Sequence, residues 1–176
     1  VQMRSFMVGP LAEDVTDAVE RLRTEGATRF VLDLRGNGGG LLTAAFDVLE
    51  LFAREPKQLL LEQRGKIADE TTQYFSEARG AYADLPIVVL VDKWSASASE
   101  VVSGVLQVWG WPVVGTQTYG KGSVQASMPL RNGGRFKFTT ALYYLPNGVT
   151  PNGIGITPDV NALDDPATPD DEALVR

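Results

Sequence analysis

An α/β fold is predicted for this 176-residue chain: one domain with a mainly parallel sheet, flanked by helices and extended by a β-hairpin. Three observations carry that expectation. Short β-rich apolar runs alternate with segments of helical periodicity, which is the pattern of strand, crossover and parallel strand. Two of those runs pass into small-residue turns before a helix, Arg35-Gly36-Asn37-Gly38-Gly39-Gly40 and Ser95-Ala96-Ser97-Ala98-Ser99-Glu100. Near the C-terminal end, Val124 to Leu130 and Arg135 to Tyr144 flank Asn132-Gly133-Gly134, a hairpin signature.

Taken in order, Val1-Gln2-Met3-Arg4-Ser5-Phe6 alternates and reads as a strand already under way. Leu11, Val15, Ala18, Val19 and Leu22 recur at helical spacing, and Gly26 stands where a helix C-cap is expected. Phe30 to Leu34 is the first apolar strand, and helical spacing resumes from Leu41 to Phe52 after the glycine turn. Gln58 to Leu61 can pair as a strand, whereas Arg64 to Asp84 is polar and is expected to be loop and helix. Ile87 to Val91 is a buried strand, and Val101, Val102, Val105, Leu106 and Trp109 then fall on one helical face. Pro112 to Gly115 makes a further short strand, Gly153 to Asp159 a loop, and residues 161–176 a C-terminal tail. No linker or internal repeat interrupts residues 1–160, which form a single unit of a size that buries roughly 70% of its unfolded surface.

Histidine and cysteine are both absent. Their absence excludes Ser-His-Asp and Cys-His nucleophile systems, and metal or haem sites that need imidazole or thiolate ligands. The expected chemistry therefore uses no metal and no cofactor. A net charge of -6 without a basic cluster argues against nucleic acid as a partner. Apolar runs such as Leu85 to Val91 are far shorter than the ~20 residues that span a bilayer, so no membrane span is expected in this stretch. The chain opens on Val1, which suggests a piece of a longer precursor.

The nucleophiles left are hydroxyls, carboxylates and lysines. A serine at a helix start lies beside unpaired backbone N–H groups and the positive end of the helix dipole, both favourable to a developing oxyanion. Ser95, Ser97 and Ser99 are the candidates, although Ser97-Ala98-Ser99-Glu100 equally matches a capping box. Without histidine, a lysine made neutral by its surroundings can act as base. Lys121, between Gly120 and Gly122 with no acidic neighbour in sequence, is the best placed. The same stretch, Gly115 to Lys121, also fits G-x-x-x-x-G-K. Gly122 then stands where a phosphate loop needs Ser or Thr, and the following residues alternate like a strand rather than opening a helix.

Leu32-Asp33-Leu34-Arg35-Gly36-Asn37-Gly38-Gly39-Gly40, Ser95-Ala96-Ser97-Ala98-Ser99-Glu100 and Thr118-Tyr119-Gly120-Lys121-Gly122-Ser123-Val124-Gln125 together resemble, in order, the core of the C-terminal processing peptidases, or tail-specific proteases. Tyr143 to Gly148 and Gly153 to Asp159 are similar to that family's closing segment. The resemblance implies a fold like that of the Clp protease and crotonase superfamily, with residues 1–160 as a serine peptidase core. It implies Ser97 as nucleophile, Lys121 as general base, Gln125 as the residue that orients the lysine, and an oxyanion hole from the backbone N–H of Ala98 and of Gly38 or Gly39. If Ser123 to Leu130 is a strand, the even spacing of Lys121 and Gln125 puts them on one face. Protein or peptide substrates, a Ser-Lys dyad with an acyl-enzyme, a PDZ domain in the full-length precursor and an extracytoplasmic location are implied likewise. The chain departs from the pattern at Val108, where many members carry an aspartate. A non-catalytic binding module on the same scaffold and, less favoured, a nucleotide-binding protein are the alternatives.

Overall fold

The computed structural model describes residues 1–7, 9–66 and 70–163. The elements run α1 (Leu11–Thr24), β1 (Phe30–Asp33), α2 (Leu42–Glu50), β2 (Leu59–Gly65), β3 (Thr71–Phe75), β4 (Ile87–Val91), α3 (Ala98–Val108), β5 (Val113–Gly115), β6 (Ser123–Pro129), β7 (Arg135–Tyr144) and β8 (Val160–Asn161). They build two four-stranded sheets. One is parallel, in the order β1-β4-β5-β8, and the other antiparallel, in the order β3-β2-β7-β6. The expected α/β class is observed. The hairpin is half of a second sheet, completed by β2 and β3, rather than an appendage.

α1 turns Val15 and Val19 inward, carries Glu13 and Asp14 in its first turn and Arg21 and Arg23 in its last, as the helix dipole favours, and is ended by Gly26 at φ +96°. β4 is apolar at every position and buried at four of its five, as an interior strand of a parallel sheet requires. The core joins the parallel sheet, α2 and α3 to the inner side of the antiparallel sheet, where Leu60, Leu61 and Tyr143 are buried in one cluster with Phe52, Trp109 and Trp111.

Two sequence expectations need correction. Val1 to Phe6 is not a continuous strand but makes two isolated parallel bridges, Gln2 to Asp33 and Phe6 to Gly40, with Met3 and Phe6 as its buried residues. Within Arg64 to Asp84 there is no helix among the described residues; the stretch holds the end of β2, the strand β3 and a set of turns. β3 escapes the periodicity test because it is an edge strand with no fully buried position, so apolar and polar residues need not alternate along it. Beyond Val160, β8 pairs with β5 and Ala162 is buried; residues 164–176 of the expected tail lie outside the described residues.

Because β1 and β4 pair in parallel, with Asp33 opposite Leu90, the turns that follow them leave the same edge of the sheet side by side. The carboxyl edge of a parallel sheet is where this architecture opens a crevice for chemistry.

Candidate active site

The glycine turn after β1 and the serine turn after β4 are fastened together by buried polar groups. Asn37 is fully buried, donates through Nδ2 to Met3 O (2.9 Å), and its carbonyl accepts from Ala96 N–H (3.0 Å) and Ser99 Oγ (2.8 Å). Asp92 Oδ1 accepts from the backbone N–H of Gly36 (3.0 Å), Trp94 (2.9 Å) and Ser95 (3.0 Å), closing the first half of the serine turn.

These contacts separate the three serines. Ser95 is buried and its Oγ donates to Leu34 O at 2.9 Å; Ser99 is buried and bound to Asn37 O. Ser97 alone of the three is partly exposed. It is the N-cap of α3 with φ +59° and ψ -115°, a region that an L-residue enters only under local constraint. A strained strand-to-helix corner that raises a serine hydroxyl above a sheet is the geometry of a nucleophile elbow. Ala98 is the first residue of α3, so its N–H belongs to the unpaired donors of the helix start.

Gly38 and Gly39 divide their duties. Gly39 is buried at φ +91°, and a β-carbon there would fall 2.5 Å from Ala96 O and 2.9 Å from Ala98 N, so only glycine lets the two turns approach. Its N–H already donates to Asn37 Oδ1 at 2.9 Å. Gly38 is exposed, with open space where a β-carbon would stand.

Lys121 lies in the loop between β5 and β6, and Gln125 on β6; both are exposed. The even-spacing expectation does not apply, because β6 begins at Ser123 and Lys121 precedes it. Among the described residues no hydrogen bond joins Lys121 Nζ to Ser97 or to Gln125. What links the lysine loop to the serine turn is Glu100, which is fully buried. Its Oε2 accepts from the backbone N–H of both Ser97 and Lys121, each at 2.8 Å, so those nitrogens are at most twice that distance apart. Its Oε1 accepts from Thr118 Oγ1 (2.7 Å) and Gly120 N–H (2.6 Å). Thr118 Oγ1 in turn accepts from Ile156 N–H at 2.6 Å, and Tyr119 N–H donates to Ser95 O at 3.0 Å. The capping-box reading is therefore half of the truth: the cap residue and the candidate nucleophile are the same serine, and the capping glutamate also holds the loop of the candidate base. The roles of Asn37 and Thr118 carried no signal in the sequence, since each joins segments that meet only in the fold: Asn37 reaches Met3, 34 positions away, and Thr118 reaches Glu100 and Ile156, 18 and 38 positions away.

The lysine-loop match to G-x-x-x-x-G-K leads into strand β6, not a helix, so the dipole that a phosphate loop uses is absent there. Among the described residues no group of three His, Cys, Asp or Glu side chains is arranged to hold a metal ion.

The sequence matches the family model described as peptidase family S41 over residues 1–162. A carboxy-terminal-processing protease of Bartonella bacilliformis is 37% identical over 161 residues, which are 91% of this chain and 37% of that protein. A Staphylococcus aureus protein named "Probable CtpA-like serine protease" is 36% identical over 148 residues, 84% of this chain and 30% of that protein. Among solved structures, the photosystem II D1 C-terminal processing protease superposes with a TM-score of 0.80 at 30% identity, covering 92% of this chain and 41% of that one. The chain thus spans less than half the length of these relatives.

Proposed function

The chain belongs to peptidase family S41, and from that premise we propose that it is the core of a serine endopeptidase that cleaves C-terminal or unfolded segments of proteins with a Ser97-Lys121 dyad. The observation that carries this reading is the Glu100 carboxylate, which ties a strained, accessible serine to the loop of a lysine in a chain that has no histidine.

In the proposed reaction, Lys121 Nζ takes the proton of Ser97 Oγ as the oxygen bonds to the substrate carbonyl carbon. The oxyanion is met by Ala98 N–H and by a glycine N–H. Gly38 is the donor that this reading favours, because Gly39 N–H is engaged by Asn37. Collapse of the tetrahedral intermediate breaks the C–N bond, with the lysine returning its proton to the leaving amine. Water, deprotonated by the same lysine, then releases the acyl group and restores the serine. Gln125 is assigned to orienting the Lys121 side chain. Apo sites often bring base and nucleophile into contact only with substrate in place. In keeping with the resemblance, the proposal includes an extracytoplasmic setting and a PDZ domain in the full-length protein that presents substrate tails.

The test is mass spectrometry of an unfolded tagged peptide incubated with the protein, with Ser97→Ala and with Lys121→Ala. Cleavage by the wild type and its loss in both variants, with circular dichroism unchanged, is the expected result. Cleavage retained by Ser97→Ala would remove that residue as the nucleophile, and cleavage retained by Lys121→Ala would remove the dyad.

A further inference from the structure

The end of the β6–β7 hairpin is dressed unlike the rest of the molecule. Met128, Leu130, Phe136 and Phe138 are 51%, 44%, 53% and 37% exposed, which is unusual for four large apolar residues within one turn of chain. They are not scattered. Met128 stands opposite Phe136 in the register, Phe136 and Phe138 share a strand face two residues apart, and their rings stack at 5.4 Å and 21°. The turn is closed by Leu130 N–H to Gly134 O (2.8 Å) and Gly133 N–H to Leu130 O (3.1 Å), so Leu130 is held at its base, next to the Arg131-Asn132-Gly133 tip.

Arg131, Arg135 and Lys137 are interleaved with these side chains, Arg135 and Lys137 projecting from the opposite strand face. No Asp or Glu occurs between Glu100 and Asp159, although the chain as a whole carries a net charge of -6. The hairpin end is therefore a basic, apolar projection on an acidic protein. Non-specific attraction to anions is weak for the whole molecule and local to this tip.

We propose that the β6–β7 hairpin docks the protein peripherally on an anionic lipid surface, entering tip first. The Arg131-Asn132-Gly133 turn leads, Leu130 is the first apolar side chain behind it, and Met128 and Phe136 follow about 7 Å further back at the rise of a β-strand, within the roughly 5–10 Å that interfacial elements sink into the headgroup and acyl boundary. In that orientation both strand faces reach the headgroup layer, so the basic face pairs with lipid phosphates while the apolar face meets acyl chains. Among the described residues no helix is long and apolar enough to cross a membrane, and the contact proposed is one of surface docking.

Flotation of the 176-residue protein with vesicles of phosphatidylcholine mixed with phosphatidylglycerol, compared with phosphatidylcholine alone, tests this. The protein is expected to float with the mixed vesicles only, and less so as salt is raised. Arg135→Gln and Lys137→Gln should each weaken partitioning about fivefold, the value of one base near an anionic surface. Phe136→Ser combined with Phe138→Ser should abolish it without changing the circular dichroism, since both rings are exposed. No flotation by the wild type, equal flotation with neutral vesicles, or undiminished flotation of the double variant would each overturn the proposal. Lipid-free self-association that the double variant abolishes would instead assign the face to a second copy. A raised KM for a soluble peptide in that variant, without flotation of the wild type, would assign it to polypeptide substrate.

Discussion

Glu100 has two oxygens and four donors, and no neutral side chain of its shape can receive them all. Glutamine at this position keeps one acceptor oxygen and turns an NH2 toward N–H or O–H groups that already point inward. Two buried donors then lose their partner, at about 1–3 kcal/mol each. Glu100→Gln is expected to lower stability in urea by about 2–6 kcal/mol and to slow acylation of Ser97 by a serine-directed reagent more than it raises KM, because the residue is fully buried and sets the relation of two loops. Acylation at the wild-type rate would refute that positioning role. The glycines offer a second contrast at this scale. Gly39→Ala places a methyl group 2.5 Å from Ala96 O at a positive φ, so its urea midpoint should fall steeply. Gly38→Ala enters open space and should stay within about 1 kcal/mol of wild type. The ordered motifs and their resemblance to a family singled out Ser97 and Lys121 as candidates. They were silent on which of the two glycines is committed to its neighbours, because that depends on the side chain of Asn37.

Between residues and the molecule stand the loops and strands, and the loop of residues 116–122 is the one whose attachment can be isolated. Thr118 Oγ1 donates to Glu100 Oε1 and accepts from Ile156 N–H, so one hydroxyl fastens the loop to α3 and to the chain near β8. Thr118→Val has nearly the same volume but leaves a carboxylate lone pair and a backbone donor unmet, a loss of about 1–3 kcal/mol. Hydrogen exchange should show faster exchange at Gly120 and Ile156 with no change in the β4 amides; a uniform rise across the core would mean that the loop has no separate attachment. Element by element, the sequence spoke where burial imposes a period. α1 has a clear inward stripe, β4 is apolar throughout, and β6–β7 has its glycine turn. It failed at β3, whose positions are all at least partly exposed, and at β8, which is two residues long and makes a strand only because β5 is there to receive it. The Val1 to Phe6 segment shows the converse: an alternating pattern was present, but bridges form only at Gln2 and Phe6.

At the scale of the whole molecule, the parallel sheet supplies the serine and glycine turns, and the lysine loop leaves β5 to start the antiparallel sheet at β6. The site therefore depends on how the two sheets dock, and Tyr143 is one of the residues that docks them. It is 8% exposed in the common core, and its N–H donates to Gly122 O next to Lys121. Burial pushes its phenol up, with the nearby Tyr74 adding to the shift. Tyr82, which packs against Phe52 and donates to Glu20 Oε1 at 3.0 Å, is raised as well, first by burial and then by that hydrogen bond. A phenol with a raised pKa in the folded state holds its proton there more tightly than in the unfolded chain. Its contribution is fully present below the ordinary phenol pKa of about 10 and is lost as pH rises through the folded value. The urea midpoint should consequently fall between about pH 9 and about pH 11, where an unfolded tyrosine ionises. Tyr143→Phe combined with Tyr82→Phe removes both ionisations, so that variant should lose less stability across the same interval, even if Tyr82→Phe lowers its starting point by the loss of the Glu20 bond. Equal losses in variant and wild type would mean that the alkaline decline has another origin and that these two buried phenols do not govern it.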